Sequence, residues 1–593
     1  MNADYQNREF VYRKCADQDA PAPARHPVVV VGAGPVGMAV AIDLARQGVP
    51  TVVVDDDCRL STGSRAICFA KRTLEIFDRL HCGEPMVAKG VSWNVGRVFF
   101  KDKPVYSFNL LPETGHCRPA FINLQQYYVE GMLAEQAART PGLDMRWSTR
   151  LAGLARYDDR VELALETPDG PYTLAADYVV AADGVRSTAR RLLGLESKGH
   201  VFRDRFLIAD VRMKADFPVE RWFWFDPPFH PNQSVLLHSQ PDNVWRIDFQ
   251  LGWDADPVAE KAPERVIPRV QALLGKDVEF ELEWVSVYTF SCLRMEKFRH
   301  GRVLFAGDAA HLVSPFGARG ANSGIQDIDN LGWKLKLVLE GKAPDALLDT
   351  YGSEREAAAD ENILNSTRST DFITPKSAVS RLFRDAVLAL ASEYPFARKL
   401  VNSGRLSLPA SYRASALNTP DSDAFNAGLA PGAPCCDAPV ILRTWAAEEQ
   451  RLQSERSRPI SRSISASPSA PGPAAHPDWL LRHLGNDFCL LVFGDAAGLP
   501  EPVLDALRAL REGPLPVRPL VVLPPGARAD LEAGLVMLED TQSMVAQRLD
   551  ACPGTAYLLR PDQHVCARWR KVDAARVRAA LARATCNPSL EQA

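Results

Sequence analysis

Residues 28–56 constrain the fold of this chain more than any other stretch. They begin with four consecutive valines, which predict a buried parallel strand, and continue through a glycine-rich turn into an apolar helix over 36–47. A second strand is predicted over 51–54, and Asp55 follows it directly. This order is typical of a dinucleotide-binding unit, because the turn lets backbone N–H groups approach a pyrophosphate while the acid binds a ribose hydroxyl. The residues predicted to contact the dinucleotide are Gly32, Gly34, Pro35, Gly37 and Asp55.

The length and the charge balance exclude several classes of protein. At 593 residues the chain exceeds a single hydrophobic core, and we expect about three or four domains. Its 69 basic and 73 acidic residues nearly cancel, so no overall field favours nucleic acid. No apolar run is long enough to span a bilayer, and the first 27 residues lack the apolar region of a secretory signal. We therefore expect neither nucleic acid nor a membrane as a partner.

The cysteines indicate the redox compartment. Twelve of them are spread along the chain without a Cys-x-x-Cys pair or the spacing of zinc ligands. We therefore expect buried or free thiols in a reducing cytoplasm and no metal site.

Two further segments repeat the pattern of a strand that ends in a polar turn. Residues 177–187 indicate a strand, a turn with an Asp-Gly pair and the start of a helix. Residues 302–308 indicate a strand that ends in a Gly-Asp pair. Turns at the carboxyl ends of parallel strands face the ligand crevice of an α/β sheet, so both pairs are candidate binding residues.

A long helix is predicted after the second of these turns. A loop with two glycines leads to Asn322 or Ser323 as the N-cap, and the helix ends near Gly341. Because backbone N–H groups cluster at its N-terminus, this end would stabilise a negative charge. The buried face is predicted to consist of Ile325, Ile328, Leu331 and Leu335.

Residues 200–298 change from helical to alternating periodicity. Apolar and polar residues alternate strictly over 245–251, which predicts a strand with one packed face and one face toward water or a pocket. A hairpin turn at 241–243 connects this strand to a partner over 235–240, and another strand is predicted over 284–290. We therefore expect an antiparallel sheet domain inserted into the α/β domain.

The C-terminal part of the chain has a different composition. Residues 455–477 are of low complexity and predict a mobile loop. Beyond it, short strands over 488–493, 519–523 and 556–559 are separated by helical segments. This pattern predicts a further small α/β domain.

Three motifs at separate strand ends coincide in this chain: the glycine turn with Asp55, the pair Asp183–Gly184, and the pair Gly307–Asp308. Together they resemble the group A, single-component FAD-dependent aromatic hydroxylases over roughly residues 28–370. Residues 560–568 resemble the end of the thioredoxin-like domain carried by the phenol hydroxylase and 3-(3-hydroxyphenyl)propionate hydroxylase branch. Because the Cys-x-x-Cys pair is missing here, the resemblance implies the fold of that domain without a redox role.

The resemblance implies an α/β fold with a Rossmann-like FAD-binding domain, an inserted antiparallel β-sheet substrate domain and a C-terminal thioredoxin-like α/β domain. The implied divisions are an N-terminal arm (1–27), the FAD-binding domain in two parts (28–198, and 301–405 with a helical region), the substrate domain (199–300), a connection (406–431) and the thioredoxin-like domain (432–593).

The resemblance also assigns cofactor roles to individual residues. Asp55 would bind the adenosine ribose of FAD, and Arg65 or Arg72 the pyrophosphate. Gln126 matches the flavin-binding glutamine of the family, and Asp308 matches the acid that binds the ribityl chain. The remaining implied contacts are Asp183, in a fingerprint associated with both FAD and NAD(P)H, and Gly307, Gly320, Ala321 and Asn322, around the cradle under the flavin pyrimidine ring.

The implied activity is that of a monooxygenase. It hydroxylates a phenolic aromatic substrate with NADH or NADPH and O2 through a flavin C4a-hydroperoxide, and Pro315 resembles the loop proline beside flavin C4a. Some relatives place an acid after Arg65 to deprotonate a phenol, but this chain has Ile67, Cys68 and Phe69 there. The catalytic base, the substrate, the regiochemistry and the choice between NADH and NADPH therefore stay open.

Substrate contacts are predicted on the inserted sheet. Arg246 resembles by position an arginine that some relatives present to flavin and substrate, and Tyr288 is the second catalytic candidate. His238 and Gln240, on the partner strand, join Arg246 as predicted substrate contacts. For each of these residues a solvent-facing or core position is an equally good interpretation.

Other functions remain open from the sequence. Residues 222–227 are similar to the Trp-x-Trp-x-Ile-Pro box of flavin-dependent halogenases, although Asp226 replaces the isoleucine. A flavin oxidase on the same scaffold, an NAD-dependent dehydrogenase and a non-enzymatic role are further alternatives. The oligomeric state is open as well, and a homodimer is one of the options.

Overall fold

The computed structural model describes residues 8–63, 65–214, 217–275, 277–401, 406, 408–444, 474–527 and 535–591. The chain forms two compact units. The first comprises Met1–Pro112, Arg118–Gly332 and Tyr351–Pro409, and the second comprises Glu113–Cys117, Trp333–Thr350 and Ala410–Ala593. Within the described ranges, no helix has the length and apolar character needed to cross a membrane.

Strands and helices are interspersed along the first unit. The strands up to residue 312 are β1 (Ala24–Val31), β2 (Thr51–Val54), β3 (Cys68–Ala70), β4 (Val91–Trp93), β5 (Val95–Phe100), β6 (Lys103–Asn109), β7 (Phe121–Asn123), β8 (Leu143–Arg146), β9 (Arg150–Arg156), β10 (Val161–Thr167), β11 (Gly170–Ala181), β12 (Ser197–Arg212), β13 (Arg221–Phe225), β14 (Ser234–Ser239), β15 (Val244–Leu251), β16 (Glu281–Met295), β17 (Arg299–His300), β18 (Val303–Phe305) and β19 (His311–Leu312). The helices up to residue 401 are α1 (Pro35–Arg46), α2 (Lys71–Arg79), α3 (Gly83–Lys89), α4 (Gln126–Arg139), α5 (Thr188–Leu192), α6 (Pro263–Leu274), α7 (Gly320–Leu339), α8 (Asp349–Ile373), α9 (Ala378–Ala391) and α10 (Pro395–Val401).

A parallel sheet in the order β18-β11-β1-β2-β8 carries the predicted cofactor-binding region. Val28, Val29 and Val30 of β1 are completely buried, as a strand paired on both sides requires. The second predicted strand has the predicted bounds, Thr51–Val54. β1 begins at Ala24, so the first strand starts before the predicted end of the arm at residue 27.

A second sheet has the order β19-β16-β12-β15-β14-β13-β5-β6. Its strands β16, β12, β15 and β14 pair antiparallel, as the alternation predicted. β5 and β6 also belong to it, and β5 pairs parallel with β13. The predicted inclusion of residues 95–109 in the FAD-binding domain therefore differs from the structure, because strands far apart in sequence pair here.

The two faces of this second sheet are both buried. One face is apolar and packs against Val266 and Val270 of α6. The other face carries the polar residues of β15 and is also buried, so it does not face open water, and the predicted pocket stays a prediction. The residues of the apolar face include Leu207, Ala209, Val211, Val235, Leu237, Trp245, Ile247, Phe249 and Leu251.

The second unit contains its own α/β sheet. Its elements are β20 (Pro439–Thr444), β21 (Ala474–Trp479), β22 (Phe488–Phe493), α11 (Glu501–Arg511), β23 (Val517–Leu523), β24 (Val536–Glu539), α12 (Met544–Arg548), β25 (Ala556–Leu559), β26 (Val565–Trp569) and α13 (Ala574–Ala584). The strand order is β21-β20-β24-β23-β22-β25-β26, with β22 parallel to β23 and antiparallel to β25. This order supports the thioredoxin-like assignment, which stays a prediction.

The bounds of two predicted segments differ from those of the second unit in the structure. The predicted mobile loop 455–477 lies outside the described residues up to 473, and residues 474–477 belong to β21. The predicted FAD-binding segment 301–405 includes 333–350, which belong to the second unit. The reason is packing, since the Trp333 ring contacts Phe488 edge-on at 5.7 Å in the apolar core of that unit.

Candidate active site

The three predicted strand-end motifs lie side by side at one edge of the parallel sheet. β1 is paired with β11, and β11 with β18, so Val31, Ala181 and Phe305 end next to one another. Because all three strands run in the same direction, the turns that follow them open on the same side. The motifs that the sequence separates by more than a hundred residues therefore form one site.

The glycines of the first turn have different roles. A Cβ at Gly32 would lie 2.5 Å from the carbonyl oxygen of Ala182, and a Cβ at Gly37 would lie 1.8 Å from that of Gly32. These two glycines are required by contacts within the chain. A Cβ at Gly34 would meet no described atom within 4 Å. Gly34 precedes α1, so its backbone offers an open approach to the helix N-terminus for a phosphate.

Asp55 lies where the prediction placed it, beside the glycine turn. Its carboxylate accepts hydrogen bonds from the backbone N–H groups of Ala33 (2.5 Å) and Asp57 (2.8 Å). Burial nevertheless raises the pKa of Asp55 to about 6. The acid is therefore fixed against the turn, where a ribose would lie.

The two arginines predicted for the pyrophosphate differ in the structure. Arg65 is exposed. Arg72 is buried, and its guanidinium pairs with Asp329 (3.0 Å) and Glu75 (3.5 Å). The prediction for Arg72 is therefore wrong in its role, because this cation is already neutralised within the protein and holds α2 to α7.

Gln126 stands at the start of α4 and organises the loop before β3. Its side-chain oxygen accepts a hydrogen bond from the N–H of Ala66 (3.0 Å), and its nitrogen donates to Glu130 (2.7 Å). Glu130 accepts two further bonds from Ser61, a partner that no sequence motif indicates. The observed contacts of Gln126 thus fix a loop, and its predicted contact with flavin stays a prediction.

Asp183 and Asp308 are the two acids at the ends of β11 and β18. One oxygen of Asp183 accepts from Ala189 N–H (3.0 Å), while the other is buried without a partner among the described residues. The Asp308 side chain is exposed, yet protein surrounds it closely enough that desolvation raises its pKa. Both carboxyl groups are thus available at the edge of the site.

Three side chains around Gly307 were not predicted as site residues. The N–H of Gly307 donates to Asp327 (2.9 Å), and His311 and Arg355 pair with the same carboxylate at 2.7 and 2.6 Å. These partners hold the pKa of Asp327 below its usual range despite burial. A Cβ at Gly324 would lie 3.2 Å from the Cα of Gly307, so α7 packs directly on this turn.

The N-terminus of α7 differs in detail from the prediction. The helix begins at Gly320, so Asn322 lies inside its first turn and is not the N-cap. The Asn322 side chain accepts a hydrogen bond from Ala70 N–H (2.8 Å) and donates to the carbonyls of Cys68 (2.9 Å) and Ala318 (2.5 Å). Its amide group therefore fixes β3, and the backbone N–H groups from Gly320 onward are what the helix end offers to a ligand.

The polar face of the second sheet carries a row of side chains across five strands. Strand register places Trp284, Asp210, Arg246, His238 and Arg221 next to one another on that face. The guanidinium of Arg246 makes two hydrogen bonds to Asp210 (2.8 and 2.9 Å) and one to the carbonyl of Arg65 (3.1 Å). Gln240 also donates to Asp210, at 3.2 Å.

The observed contacts of Arg246 and Gln240 are with the protein itself. Arg246 is 3% exposed, paired with a carboxylate and bonded to the carbonyl of Arg65, so its predicted contact with substrate, like that of Gln240, stays a prediction. The sequence could not reveal this pair because Asp210 lies on another strand. Burial of His238 lowers the pKa of its imidazole to about 4, which keeps it neutral.

The next rows of the same face are aromatic and lie near Pro315. The Phe316 ring contacts Phe206 at 4.9 Å and Phe290 at 5.1 Å, both edge-on. Tyr288 is half-buried beside them, and desolvation raises its pKa. Pro315 itself is exposed next to this aromatic cluster. The aromatic rows of this face therefore form a packed cluster beside the polar row.

The tryptophans of the halogenase-like box have structural contacts. Trp222 and Trp224 lie on β13 and pack against each other and against Phe99. They belong to the apolar face of the sheet, away from the polar row. The box is therefore explained by core packing.

The strand-end residues fit a bound dinucleotide. Gly34 leaves its backbone accessible, Asp55 is fixed beside the turn, and an oxygen of Asp183 has no partner within the described chain. The N-terminus of the 20-residue helix α7 supplies a positive electrostatic end at the same edge. Residues 65–70 connect this edge to the polar face of the second sheet, through Asn322 on one side and Arg246 on the other.

Comparison with known proteins agrees with a dinucleotide site that binds FAD. Residues 25–366 match a family described as an FAD-binding domain. The chain is 30% identical over 388 residues to a 3-(3-hydroxy-phenyl)propionate/3-hydroxycinnamic acid hydroxylase of Mycolicibacterium smegmatis, covering 64% of this chain and 67% of the relative. It is also 30% identical to the 6-methylpretetramide 4-monooxygenase of Streptomyces rimosus, over 92% of this chain and 91% of the relative.

Solved structures share the fold. The flavin-dependent monooxygenase PieE, in complex with FAD and substrate, aligns with a TM-score of 0.74 at 22% identity, covering 96% of this chain and all of that chain. A ternary complex of aklavinone-11 hydroxylase with FAD and aklavinone aligns with a TM-score of 0.72 at 24% identity, covering 95% of this chain and all of that one. These relatives bear names of hydroxylases and monooxygenases, which does not favour halogenation.

Proposed function

The chain belongs to the FAD-binding-domain family of flavin-dependent monooxygenases, and on that premise we propose that it hydroxylates a phenolic aromatic substrate with NAD(P)H and O2. One observation carries the proposal. Residues 65–70, which end in strand β3, are hydrogen-bonded to the α7 N-terminus at Asn322 and to the sheet face at Arg246, so the cofactor edge and the face with the aromatic cluster belong to one arrangement.

FAD, when bound, accepts the hydride of NAD(P)H and activates O2. The residues that would hold it are those of the glycine turn with Asp55, the acids Asp183 and Asp308, and the first turn of α7. The helix N-terminus stabilises negative charge near it. Arg65 supplies an exposed cation for the pyrophosphate.

Besides holding the cofactor, such a site must exclude water from the reacting atoms, and the aromatic cluster serves this purpose. Phe206, Phe290 and Phe316 are each no more than 6% exposed and contact one another, and Phe316 directly follows Pro315 in the chain. An apolar surface of this kind binds a flat ring and keeps solvent from the reacting atoms. We propose Pro315 and Tyr288 as the residues that contact cofactor or substrate there.

The first experiment tests the cofactor site with a matched pair of glycine variants. Gly34→Ala adds a methyl group where no protein atom is close, so the fold should be unchanged while the approach of a pyrophosphate is blocked. We expect FAD affinity to fall at least about tenfold, measured by fluorescence titration of the apoprotein. Gly252→Ala, which also meets no neighbouring atom, should leave the affinity unchanged.

The second experiment tests the reaction. The FAD-loaded protein is mixed with NADH or NADPH and a panel of substituted phenols, and both cofactor oxidation and product mass are followed. A product heavier by one oxygen atom, labelled when 18O2 is used, is the expected result. Oxidation of NAD(P)H that yields only H2O2 with every phenol would contradict the proposal.

A homodimer is part of the proposal. α9 packs against α10, and large apolar side chains on their outer surface are exposed, including Val379, Leu382, Phe383 and Phe396. Several large exposed apolar side chains on two packed helices are typical of an interface, which buries about 800 Å² on each partner. A second copy of the chain would cover it.

Sedimentation velocity tests the homodimer. Leu382→Glu combined with Phe383→Lys should convert a dimer to a monomer, whereas Leu364→Glu, at an exposed leucine on α8, should not. A wild-type monomer at high micromolar concentration would contradict this part of the proposal.

A cytoplasmic location is also proposed. None of the twelve cysteines forms a disulfide in the part of the chain that the structure describes, and thiols of this kind are typical of a reducing compartment.

A further inference from the structure

Three polar atoms on the polar face of the second sheet are buried and have no hydrogen-bond partner among the described residues. They are Nη1 of Arg221, Nδ1 of His238 and Oδ1 of Asp248. Arg221 is 8% exposed and His238 is 3% exposed. A buried polar group without a partner is costly, so an unsatisfied group in a native protein requires an explanation.

The three atoms are neighbours. Arg221 and His238 lie next to each other across β13 and β14, as the register of the two strands shows, and His238 Nε2 is 3.6 Å from Asp248 Oδ2. Cys68, the first residue of β3, lies near enough to Arg221 and Asp248 that both act on its pKa. The cluster thus lies beside the strand whose carbonyl at Cys68 binds Asn322 of α7.

Neighbouring polar groups on this face are already satisfied. The carboxylate of Asp210 accepts hydrogen bonds from Arg246 and Gln240. The side chain of Asn123 accepts a hydrogen bond from Cys68 (3.2 Å) and donates one to the carbonyl of Ser239 (2.7 Å). The three unpartnered atoms therefore stand out against a network in which donors and acceptors match. A ligand group is the simplest means of satisfying all three together.

The charges of the cluster decide what kind of group fits. Arg246 is paired with Asp210, the second arginine, Arg221, is matched in number by the second acid, Asp248, and His238 is neutral, so these five residues together carry no net charge. A carboxylate would add an uncompensated charge close to Asp248 in a buried place. A neutral group avoids that cost.

Counting donors and acceptors narrows the group further. Arg221 offers a donor and Asp248 an acceptor. His238 offers a second acceptor at Nδ1 when its proton lies on Nε2, toward Asp248. A primary carboxamide has one carbonyl acceptor and two N–H donors, which matches this set. A carboxylate has no donor, and a single hydroxyl has only one.

We propose that Arg221, His238 and Asp248 bind a primary carboxamide on the aromatic substrate. The proposal rests on the proposed function, because it assigns the polar end of the same substrate site. Arg221 would donate to the carbonyl oxygen, while Asp248 and His238 would accept the two N–H groups. The ring would then lie along the aromatic rows toward Phe316.

Matched ligand pairs test the proposal without requiring turnover. 3-Hydroxybenzamide is compared with 3-hydroxybenzoate, and 3-hydroxy-2-naphthamide with 3-hydroxy-2-naphthoate, by isothermal titration calorimetry on the FAD-loaded protein. We expect the amide of at least one pair to bind at least about tenfold more tightly than its acid. Equal binding, tighter binding of the acids, or binding of no member of either pair would overturn the proposal.

A variant pair tests the role of the charge. Asp248→Asn removes the negative charge and replaces an acceptor by a donor, so the preference for amide over acid should fall at least about tenfold. Asp254→Asn makes the same chemical change at an exposed position and should leave the preference unchanged. An unchanged preference in Asp248→Asn, with FAD content and melting temperature as in the wild type, would overturn the proposal.

The binding experiment separates this proposal from the proposed function. Hydroxylation of phenols without any preference for amides would overturn the carboxamide site alone. Amide binding without oxygen transfer to any phenol would instead contradict the proposed function.

Discussion

The two faces of the second sheet are equally buried but chemically opposite. On β15, Trp245, Ile247 and Phe249 point to the face covered by α6, whereas Arg246 and Asp248 point to the opposite face, where Arg246 bonds the carbonyl of Arg65. Strand geometry sends successive residues to opposite faces, so one short stretch of chain builds both surfaces. The faces differ in their polar groups, since the polar face contains buried atoms of Arg221, His238 and Asp248 that have no partner among the described residues.

Of the changes considered on the two faces, breaking a charge pair on the polar face should cause the largest loss of stability. Asp210→Ala leaves the buried guanidinium of Arg246 without its carboxylate, and we expect the free energy of unfolding to fall by about 3–5 kcal/mol. Urea denaturation measures it. The double variant Asp210→Leu with Arg246→Met removes both charges and should recover most of the loss. A single variant within about 1 kcal/mol of the wild type would show that the pair is not effectively buried.

A cavity on the apolar face should cost somewhat less and leave function unaffected. Ile247 is completely buried, and Ile247→Ala should lower the free energy of unfolding by about 3 kcal/mol through lost packing. FAD affinity and ligand preference should remain those of the wild type, measured at a temperature where the variant is folded. A changed ligand preference would mean that the two faces are coupled.

Acidification should distinguish the two faces as well. The pKa of His238 is lowered to about 4 in the folded protein, against about 6.5 when unfolded, so the unfolded state binds the proton more readily. Stability is therefore lost as the pH falls through the unfolded value toward the folded one, by about 2 kcal/mol between about pH 7 and pH 5. Urea denaturation at several pH values measures this loss. In His238→Gln the free energy of unfolding should fall by about 2 kcal/mol less than in the wild type between about pH 7 and pH 5. Ile247→Ala should keep the wild-type loss.

The smallest effect is expected from the hydroxyl group of Tyr288. Tyr288→Phe removes a half-buried hydroxyl beside the aromatic cluster, and the free energy of unfolding should change by less than about 1 kcal/mol. Because one hydrogen bond to the substrate would be lost, KM for a phenolic substrate should rise by about threefold to tenfold. Tyr157→Phe, at an exposed position, is the control. An unchanged KM would mean that the Tyr288 hydroxyl does not contact the substrate and that the side chain serves only in packing.

The sequence predicted the elements that depend on local periodicity. β2 has the predicted bounds, and Ile325, Ile328, Leu331 and Leu335 of α7 are all completely buried. The strand-end motifs also lie at one edge, as their resemblance to a known family implied. Alternation and helical spacing are properties of neighbouring residues, so they can be read along the chain.

The errors of prediction arose where partners come from distant parts of the chain. Arg72 was assigned to a phosphate because nothing near it in sequence indicates Asp329, its partner on α7. Asn322 was assigned as an N-cap although its amide bonds Cys68 and Ala70. Residues 95–109 were included in the FAD-binding domain because the partner of β5, strand β13, follows more than a hundred residues later.

The sequence by itself determined the class of fold and the cofactor edge, because glycine turns, strand periodicity and an acid at a strand end act through local geometry. Only the tertiary structure decided which polar side chains are already neutralised. Arg246 and Arg221 are both arginines on the polar face of one sheet, yet Arg246 pairs with Asp210 and Arg221 keeps a nitrogen without a partner among the described residues. Charge pairing depends on distance in space, and that distance is set only when the strands assemble.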